Sequence, residues 1–405
     1  MMFGAAKLFL GVASSRAVSA GLNLLFSMAL LRLLPKDEYG AYYVLYTVMT
    51  FATLIPGLAI NSGFVYCYQH SKDRGALLST FVALKATLVG GVSVAVAAFW
   101  AMGLFDIHLA AAMAAGLLLS FFDSIMCLSQ AQKRFRTFAA LMPVRNSVIL
   151  LTLILSCLIA PRLDLDVVMW ALFASGAQLA VIAVMILRKA DFGVPERASL
   201  RELLSEARRF LAFEGSAMVL QRVEVWVLGF FAARSMLSAA EIAEYGAGFT
   251  FGFLFPIVSS SITSILITEV KPGDRLDLSQ LRRLLWTAAV ALVGAFVYAG
   301  ISYVAAMLFL SGKYVELHWT IPAICFGMYL SFCTNYARIM LLAHKEDRFL
   351  NYVYVAQMFV GLAASLCLIP LYGLAGAIAA FLIVRIFAFL PIGWKLYWEN
   401  VRYAS

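Results

Sequence analysis

Residues 24–64 read LLFSMALLRLLPKDEYGAYYVLYTVMTFATLIPGLAINSGF, which is two apolar runs separated by one short charged turn. Continued past the quoted ends, each run reaches about the 20 residues that an α-helix needs to cross the hydrocarbon core of a bilayer. The turn contains Asp37 and Glu38, and Pro35 stands at its start. The pattern predicts two adjacent membrane-spanning helices joined by a loop at the membrane surface.

The same pattern continues along the whole chain. Of its 405 residues, 63% are hydrophobic and 13% are charged, whereas a soluble domain is about 25% charged. This composition excludes a water-soluble fold, because too little polar surface is available to cover the apolar residues. Twelve spans are predicted, at about 8–32, 41–66, 76–103, 109–130, 137–160, 166–187, 210–233, 243–268, 284–310, 319–342, 350–369 and 372–394.

The distribution of basic residues predicts the orientation. If the amino terminus is cytoplasmic and the spans alternate, the cytoplasmic segments carry twenty of the 31 Lys and Arg residues and the opposite loops carry five. Cytoplasmic loops are enriched in Lys and Arg, so both termini are expected to face the cytoplasm. The net charge of +9 follows from this bias and from attraction to anionic lipid, and it does not indicate nucleic-acid binding.

The most polar stretch, RKADFGVPERASLRELLSEARRF at 188–210, separates six spans from six. Ser199 and Glu202 have the spacing of a capping box, and the leucines that follow share one helical face. A short amphipathic helix on the inner membrane surface is therefore predicted. We expect three parts: an N-terminal six-helix bundle over 1–187, a cytoplasmic linker over 188–209 and a C-terminal six-helix bundle over 210–405.

The tetrapeptide EYGA occurs twice, at 38–41 and 244–247. Each copy follows the first span of a half, and each is followed by a proline, Pro56 or Pro256, within the next span. This equivalent placement indicates an internal repeat, whose register stays open because Tyr42 could align with Tyr245 in place of Tyr39. Halves of six spans have the same orientation in the membrane, and transporters built this way commonly bind their substrate between the halves.

Several spans contain charged or amide side chains. A charge within a span costs about 2.5–3.5 kcal/mol on insertion scales, so it usually faces a cavity or a partner. Six of these residues are basic: Arg16, Lys85, Arg145, Arg222, Arg338 and Arg385. Three are acidic, Asp123, Glu214 and Glu224, and four are amides, Asn23, Gln221, Asn335 and Gln357.

These residues favour a polar cavity with a positive bias, lined in part by the four amides. Arg16 and Arg222 lie in the first span of each half, so the repeat is expected to place them across a central cleft. Arginine binds phosphate in bidentate geometry, which predicts a phosphate-bearing substrate. Lys85, Arg145 and Arg385 fit a position nearer the membrane surface equally well, because long basic side chains reach the headgroups.

The three acidic residues are candidate carriers of a coupling proton or sodium ion. The six cysteines and four histidines form no metal-ligand pattern, so neither a metal site nor a cofactor is expected. We expect no enzymatic activity either, because every predicted outer loop is short.

Two motifs resemble those of polysaccharide flippases. LPKDEYG at 34–40 is similar to the Leu-Gly-Pro-Glu-Glu-Tyr-Gly turn that follows the first span in that family, with Leu34 where glycine is usual. QRVEVWVLGFF at 221–231 is similar to the family's Arg-x-Asp-x-x-x-Leu-Gly pattern, with Glu224 in place of aspartate. The chain thus resembles the Wzx-type flippases, within the superfamily that includes the multidrug and toxic-compound extruders (MATE).

The resemblance implies an all-α integral membrane protein, with twelve transmembrane helices in two pseudo-symmetric six-helix bundles and a MATE-like V shape. It also implies a substrate: oligosaccharide repeat units linked to undecaprenyl pyrophosphate. These would be flipped by alternating access from the cytoplasmic to the periplasmic leaflet of a bacterial inner membrane, for O-antigen or exopolysaccharide assembly.

The other expected partners are membrane lipids, a polysaccharide polymerase and a chain-length regulator. The alternative function is that of a multidrug or cation antiporter of the same superfamily. Such a pump needs a buried acid to hold its cation, and the first span has Arg16 instead.

Overall fold

A computed structural model describes residues 2–160, 162–252, 278–310, 312–343 and 346–404. These residues are almost entirely helical, and no β-strand occurs among them. The predicted all-α class is therefore confirmed. Two compact units divide the chain, Met1–Met218 and Val219–Ser405.

The helices of the first unit follow one another with short turns. In chain order they are α1 (Met2–Leu33), α2 (Lys36–Leu54), α3 (Ile60–His70), α4 (Arg74–Ala101), α5 (Ile107–Ala131), α6 (Phe135–Ile159), α7 (Leu165–Leu187) and α8 (Arg197–Leu220). A 3-10 turn, Ile55–Gly57, joins α2 to α3, where Pro56 removes a backbone donor.

The described helices of the second unit are α9 (Val223–Ala233), α10 (Ala239–Gly252), α11 (Leu278–Leu310), α12 (Leu317–Ala343) and α13 (Asp347–Ala404). Gly373, with φ 54° and ψ −126°, interrupts α13 and bends it. Only glycine adopts such a backbone conformation readily.

Each predicted span falls at least in part on one of these helices. The spans at 350–369 and 372–394 share α13 on either side of its bend. The span at 243–268 begins on α10, but its part from residue 253 onward, with Pro256, lies outside the described residues. By length and composition, eight helices of the described part can cross a membrane, or nine if α8 and α9 form one bent span. The count of twelve is compatible with this finding and stays a prediction.

The two units use the same packing order. In the first, α1 packs against α6, and α5 packs between α2 and α7. In the second, α9 packs against α13, and α12 packs against both α10 and α13. The first part of α13 meets α9 at Gly361, and its second part meets α12 at Phe381. Spans 1 and 5 of the first half thus correspond to spans 7 and 11 of the second, and spans 2, 4 and 6 to spans 8, 10 and 12.

The tyrosines of the two EYGA motifs have similar environments. Tyr39 and Tyr245 are each 1% exposed. Each stacks on the aromatic residue one turn later, Tyr39 on Tyr43 with ring centres 6.2 Å apart and Tyr245 on Phe249 at 6.0 Å. Tyr42 is 2% exposed and its ring centre lies 5.7 Å from that of Tyr46, so the tyrosine environments alone leave the register of the repeat open.

The glutamates of the two motifs have related roles. The Glu38 carboxylate accepts the backbone N–H of Leu165 at 3.0 Å, at the start of α7. The Glu244 carboxylate accepts the N–H groups of Val315 and Glu316 at 3.0 and 3.3 Å, just before α12. The first N–H groups of a helix have no partner within the helix, so each glutamate ties its own helix to the beginning of a later one.

Tyr314 lies beside this second contact, in the turn between α11 and α12. Burial raises the pKa of Tyr314, and the Glu244 carboxylate raises it further. The phenol therefore stays neutral next to the carboxylate.

The helix of the predicted linker begins earlier than expected. It starts at Arg197, so Ser199 lies within its first turn and the predicted capping box is wrong. The reason is a contact with α4, where the Glu196 N–H donates to the Thr80 hydroxyl at 3.2 Å. This tertiary bond anchors the chain directly before the helix.

The same helix does not lie only on a membrane surface. Its face with Leu203 and Ala207 is buried, because it packs against α3. A Cβ on Gly63 would lie 3.0 Å from the Ala207 nitrogen, so the two backbones approach closely. The helix then runs without interruption to Leu220. The bundle limits at 187 and 210 stay a prediction.

Substitution of the two motif glutamates should destabilise the protein to different degrees. We expect Glu244→Ala to lower the melting temperature more than Glu38→Ala, because Glu244 is buried and loses two backbone donors instead of one. A hydrogen bond to a charged acceptor contributes about 1.5–3 kcal/mol. Thermal unfolding of the detergent-solubilised protein, followed by tryptophan fluorescence, measures the difference.

Asp37→Ala is the matched control, since Asp37 is exposed in the same turn as Glu38. Equal losses for Asp37→Ala and Glu244→Ala would contradict this role of Glu244.

Candidate functional site

Three charged side chains of the second unit lie within electrostatic reach of one another. Glu224, in the first turn of α9, is 2% exposed. The positive charges that act on its carboxylate are those of Arg385 on α13 and, less strongly, Arg222. Arg222 is the N-cap residue of α9, at a bend of 48° between α8 and α9. The guanidinium carbon of Arg385 lies 5.0 Å from the ring centre of Phe381.

Tyr354 extends this cluster to a third arginine. Its hydroxyl accepts a hydrogen bond from Arg338 Nη1 at 3.4 Å, and both Tyr354 and Tyr245 interact electrostatically with Arg385. The Gln357 amide is buried and donates to the carbonyl oxygen of Val384 at 3.1 Å. The structure thus brings together five of the residues singled out in the sequence: Arg222, Glu224, Arg338, Gln357 and Arg385.

Two other predicted residues lie beside the cluster. Asn335 is half-buried, one turn before Arg338 on α12. Gln221 is exposed, at the bend between α8 and α9. Of the three predicted amides in the second unit, Gln221, Asn335 and Gln357, only Gln357 is buried.

Some buried polar atoms of this cluster have no hydrogen bond to any described residue. They are Nε of Arg222, Nε of Arg385, Oε1 of Glu224 and Oε1 of Gln357. Buried polar atoms are nearly always paired, and exceptions point to water or a ligand. Two arginines, Arg385 and Arg222, act on the single carboxylate of Glu224, which leaves one positive charge in excess among these three groups. The arrangement favours an anion.

Three charged residues within spans of the first unit, Lys85, Asp123 and Arg145, have direct partners. Lys85 is 1% exposed, and its ammonium donates to Oδ1 of Asn61 at 3.2 Å. Asp123 also acts on it electrostatically. Nη1 of Arg145 lies 3.2 Å from Oδ1 of Asp123. Asp123 therefore serves both cations, which lowers the cost of keeping them inside the bundle.

Glu214 of α8 binds the break between α2 and α3. Its carboxylate accepts the Ala59 N–H at 2.8 Å and the hydroxyl proton of Ser62. Ala59 has φ 59°, a left-handed conformation, and it is the N-cap residue of α3. A break within a membrane span exposes backbone N–H groups that water cannot reach, and Glu214 satisfies one of them from another helix.

Arg16 and Asn23 are half-buried on α1. Between them on the helix, Ser19 faces α6, where Asn146 donates to its carbonyl oxygen at 2.7 Å and to its hydroxyl at 2.8 Å. The Ser15 hydroxyl donates to the carbonyl oxygen of Ala139 on the same helix. Polar residues of the first span are thus packed in part against a polar neighbour on α6.

Sequence reasoning missed several partners. Asn61 and Ser62 follow Pro56 closely, so a predicted break at this proline could have drawn attention to them. Tyr354 and Tyr245 carried no such signal, because tyrosines are frequent in apolar spans. Their importance depends on which arginine the packing places next to them.

The contact of Glu214 with α3 generates a prediction. We expect Glu214→Ala to accelerate amide hydrogen exchange at residues 58–62, because the Ala59 N–H loses its acceptor. The equilibrium constant for local opening of this segment should rise about tenfold, which is equivalent to about 1.4 kcal/mol. Hydrogen–deuterium exchange with mass spectrometry measures the rates.

Glu202→Ala, an exposed carboxylate on the same helix, should leave these rates unchanged. If Glu214→Ala also left them unchanged, Glu214 would not hold the break closed.

Comparisons with solved structures agree with this architecture. The chain matches a structure described as lipid II flippase MurJ in an inward closed conformation, with a TM-score of 0.76 and 12% identity over 97% of this chain and 87% of that one. It also matches an outward-facing multidrug resistance MATE family transporter of the MOP superfamily, with a TM-score of 0.60 and 12% identity over 96% of each chain.

A third match is a MOP superfamily transporter from Pyrococcus furiosus, whose description reports a binding pocket of reversed polarity. Its TM-score is 0.60, with 11% identity over 96% of each chain. At these identities the likeness establishes the fold. Curated protein sequences yield no significant match.

A family model provides the sequence-level relationship. The model, described as polysaccharide biosynthesis protein, matches residues 9–267, which is more than half of the chain and includes both EYGA motifs. Together with the multi-span helical fold, this match shows that the chain belongs to the polysaccharide biosynthesis protein family, within the fold of the MOP superfamily transporters.

Proposed function

We propose that this protein flips oligosaccharides linked to undecaprenyl pyrophosphate from the cytoplasmic to the periplasmic leaflet of a bacterial inner membrane. The observation that carries the proposal is the buried Nε atoms of Arg222 and Arg385, which have no hydrogen bond to a described residue and lie near Glu224. A diphosphate has acceptor oxygens that match such guanidinium donors. The glycan would serve O-antigen or exopolysaccharide assembly.

Physical chemistry explains why a flippase needs this cluster. The lipid tail of the substrate is as apolar as the bilayer, so only the charged and hydroxylated head group opposes crossing. The arginines compensate the charge of the diphosphate, and the nearby amides and Tyr354 can bond sugar hydroxyls. Arginine suits this role because it stays protonated and binds two oxygens at once.

The similar structures are consistent with this proposal. MurJ is described as a flippase for lipid II, so a protein of the same fold moves a lipid. The alternative function, that of a multidrug or cation antiporter, requires a carboxylate free to hold a cation. Glu224 lies instead among positive charges, which disfavours a cation at that position.

We also propose that carboxylates within the spans carry a coupling proton or sodium ion. Glu214 bonds the break in the second span, and Asp123 pairs with Arg145. A proton or sodium ion on either group would weaken these contacts, so each could link a gradient to helix movement. Polymerase and chain-length regulator remain proposed partners.

Removal of the two arginines tests the proposal. We expect Arg222→Ala and Arg385→Ala each to reduce glycan export by about tenfold to a hundredfold, since a lost charge-assisted contact is equivalent to about 1.5–3 kcal/mol. In a strain that lacks the chromosomal gene, lipid-linked repeat units should accumulate on the inner leaflet at equal protein levels. Surface glycan should fall in parallel.

Arg234→Ala is the matched control, because Arg234 ends α9 at an exposed position. Arg222→Lys separates charge from geometry, since lysine keeps the charge but not the planar fork. Normal export by both Arg222→Ala and Arg385→Ala would overturn the proposed role of the cluster.

A further inference from the structure

A basic cavity lies in the first unit. Its volume is about 430 Å³, and it opens at the ends of three helices, α3, α4 and α5. Eight residues line it: Tyr68, Gln69, Arg74, Ala131, Gln132, Lys133, Arg134 and Asp191. α4 and α5 are each long enough to span a membrane, and α3 is the last part of the candidate span Lys36–His70, so these ends lie at the depth of the lipid head groups. The charge bias predicts that this end is cytoplasmic.

The lining is polar and positively charged. Arg74, Lys133 and Arg134 face one carboxylate, that of Asp191, which leaves two positive charges in excess. The guanidinium carbon of Arg74 lies 5.5 Å from the ring centre of Tyr68, which holds the charge at the cavity wall. Gln132 donates to the Tyr68 hydroxyl at 3.2 Å, so the phenolic proton stays available for an acceptor in the cavity.

Lys133 has an unfavourable backbone for its residue type. It has φ 56° at the end of α5, where Lys133 N donates to the Gln130 carbonyl and Arg134 N donates to the Ser129 carbonyl. This is a Schellman motif, whose left-handed position is usually glycine. Gly103 occupies the corresponding position after α4.

A lysine at the left-handed position is costly to the fold. A basic residue in the last turn of α5 would interact with the helix dipole equally well without that strain. The strained position instead places the Lys133 side chain in the cavity wall. Such an outlier points to a role outside the turn.

The linker between α7 and α8 contributes Asp191 to the cavity wall, and contacts with α4 hold this part of the linker in place. The Ser79 hydroxyl donates to the Gly193 carbonyl at 2.6 Å. A Cβ on Gly193 would lie 2.6 Å from the Ala76 nitrogen, so only glycine permits this close approach to α4. The position of Asp191, two residues earlier, is therefore set by the fold.

We propose that this cavity binds the phosphate-bearing head group of an acidic phospholipid. An excess of positive charge, hydrogen-bond donors and a position at the head-group level are the features that bind such lipids between transmembrane helices. The volume exceeds what a bare phosphate occupies and lies within the range of small-ligand sites. The site is separate from the arginine cluster of the second unit and does not depend on the proposed transport activity.

Lipid binding to charge variants tests this proposal. The purified full-length protein is titrated with phosphatidylglycerol and, separately, with phosphatidylcholine. Native mass spectrometry counts the bound lipid, and the shift in melting temperature reports the stabilisation that binding produces. We expect Arg74→Gln combined with Lys133→Gly to weaken phosphatidylglycerol binding by about tenfold or more, because two charge-assisted contacts are lost.

The matched control removes two charges that lie close to Arg74 and Lys133 along the chain but outside the cavity. Lys72→Gln with Arg136→Gln fits, because both residues are exposed and neither lines the cavity. This variant should bind phosphatidylglycerol within about twofold of the wild type, a difference of under 0.5 kcal/mol. Lys133→Gly alone should weaken binding without lowering the melting temperature of the lipid-free protein, since glycine relieves the left-handed strain.

Three results would overturn the proposal. The first is equal loss of binding in the cavity variant and the control variant. The second is equal binding of the two phospholipids by the wild type. The third is competition by another phosphate compound, either millimolar inorganic phosphate or undecaprenyl pyrophosphate at lower concentrations. If it displaced phosphatidylglycerol from the wild type but not from the cavity variant, the cavity would bind that compound instead.

Discussion

A charged group in the hydrocarbon core needs a partner or water, and the internal polar contacts of both units follow from this constraint. The first unit meets it with direct bonds: Asn61 accepts from Lys85, and Asp123 pairs with Arg145. The second unit meets it only in part, since Glu224 lies near two arginines whose Nε atoms keep unused donors. Two units with the same packing order thus have different electrostatic character, which favours different roles for the two repeats.

Helix breaks extend the same constraint to the backbone. A span that breaks exposes N–H groups to a medium that offers no water, so a side chain has to satisfy them. Glu214 does this for α3, at the left-handed Ala59. The break between α8 and α9 places Arg222 at an N-cap and Glu224 in the first turn, where the helix dipole favours a carboxylate. Polar residues and helix breaks therefore occur together, at the positions that could change conformation.

The repeated EYGA motif serves the scaffold in both units. Its tyrosine is buried against the next turn of the same helix, and its glutamate binds the start of a later helix. In the second unit the motif also adjoins the candidate site, because Tyr245 interacts with Arg385. The same buried scaffold thus supports paired charges in one unit and an excess of positive charge in the other.

The sequence by itself determined the all-helical membrane class, nearly every helix position and the internal repeat, and it singled out Lys85 and Glu224 as charges inside spans. Those features depend on hydrophobicity along one segment, which a local reading captures. Only the tertiary structure decided which groups meet: Arg385 rather than a neighbour on α9 acts most strongly on Glu224, and Thr80 anchors the chain ahead of α8. It also gathered Arg74, Lys133 and Arg134 around one cavity, although the sequence indicated only dispersed loop charges. Such contacts join residues far apart in the chain, so the packing of helices, and not any local pattern, sets them.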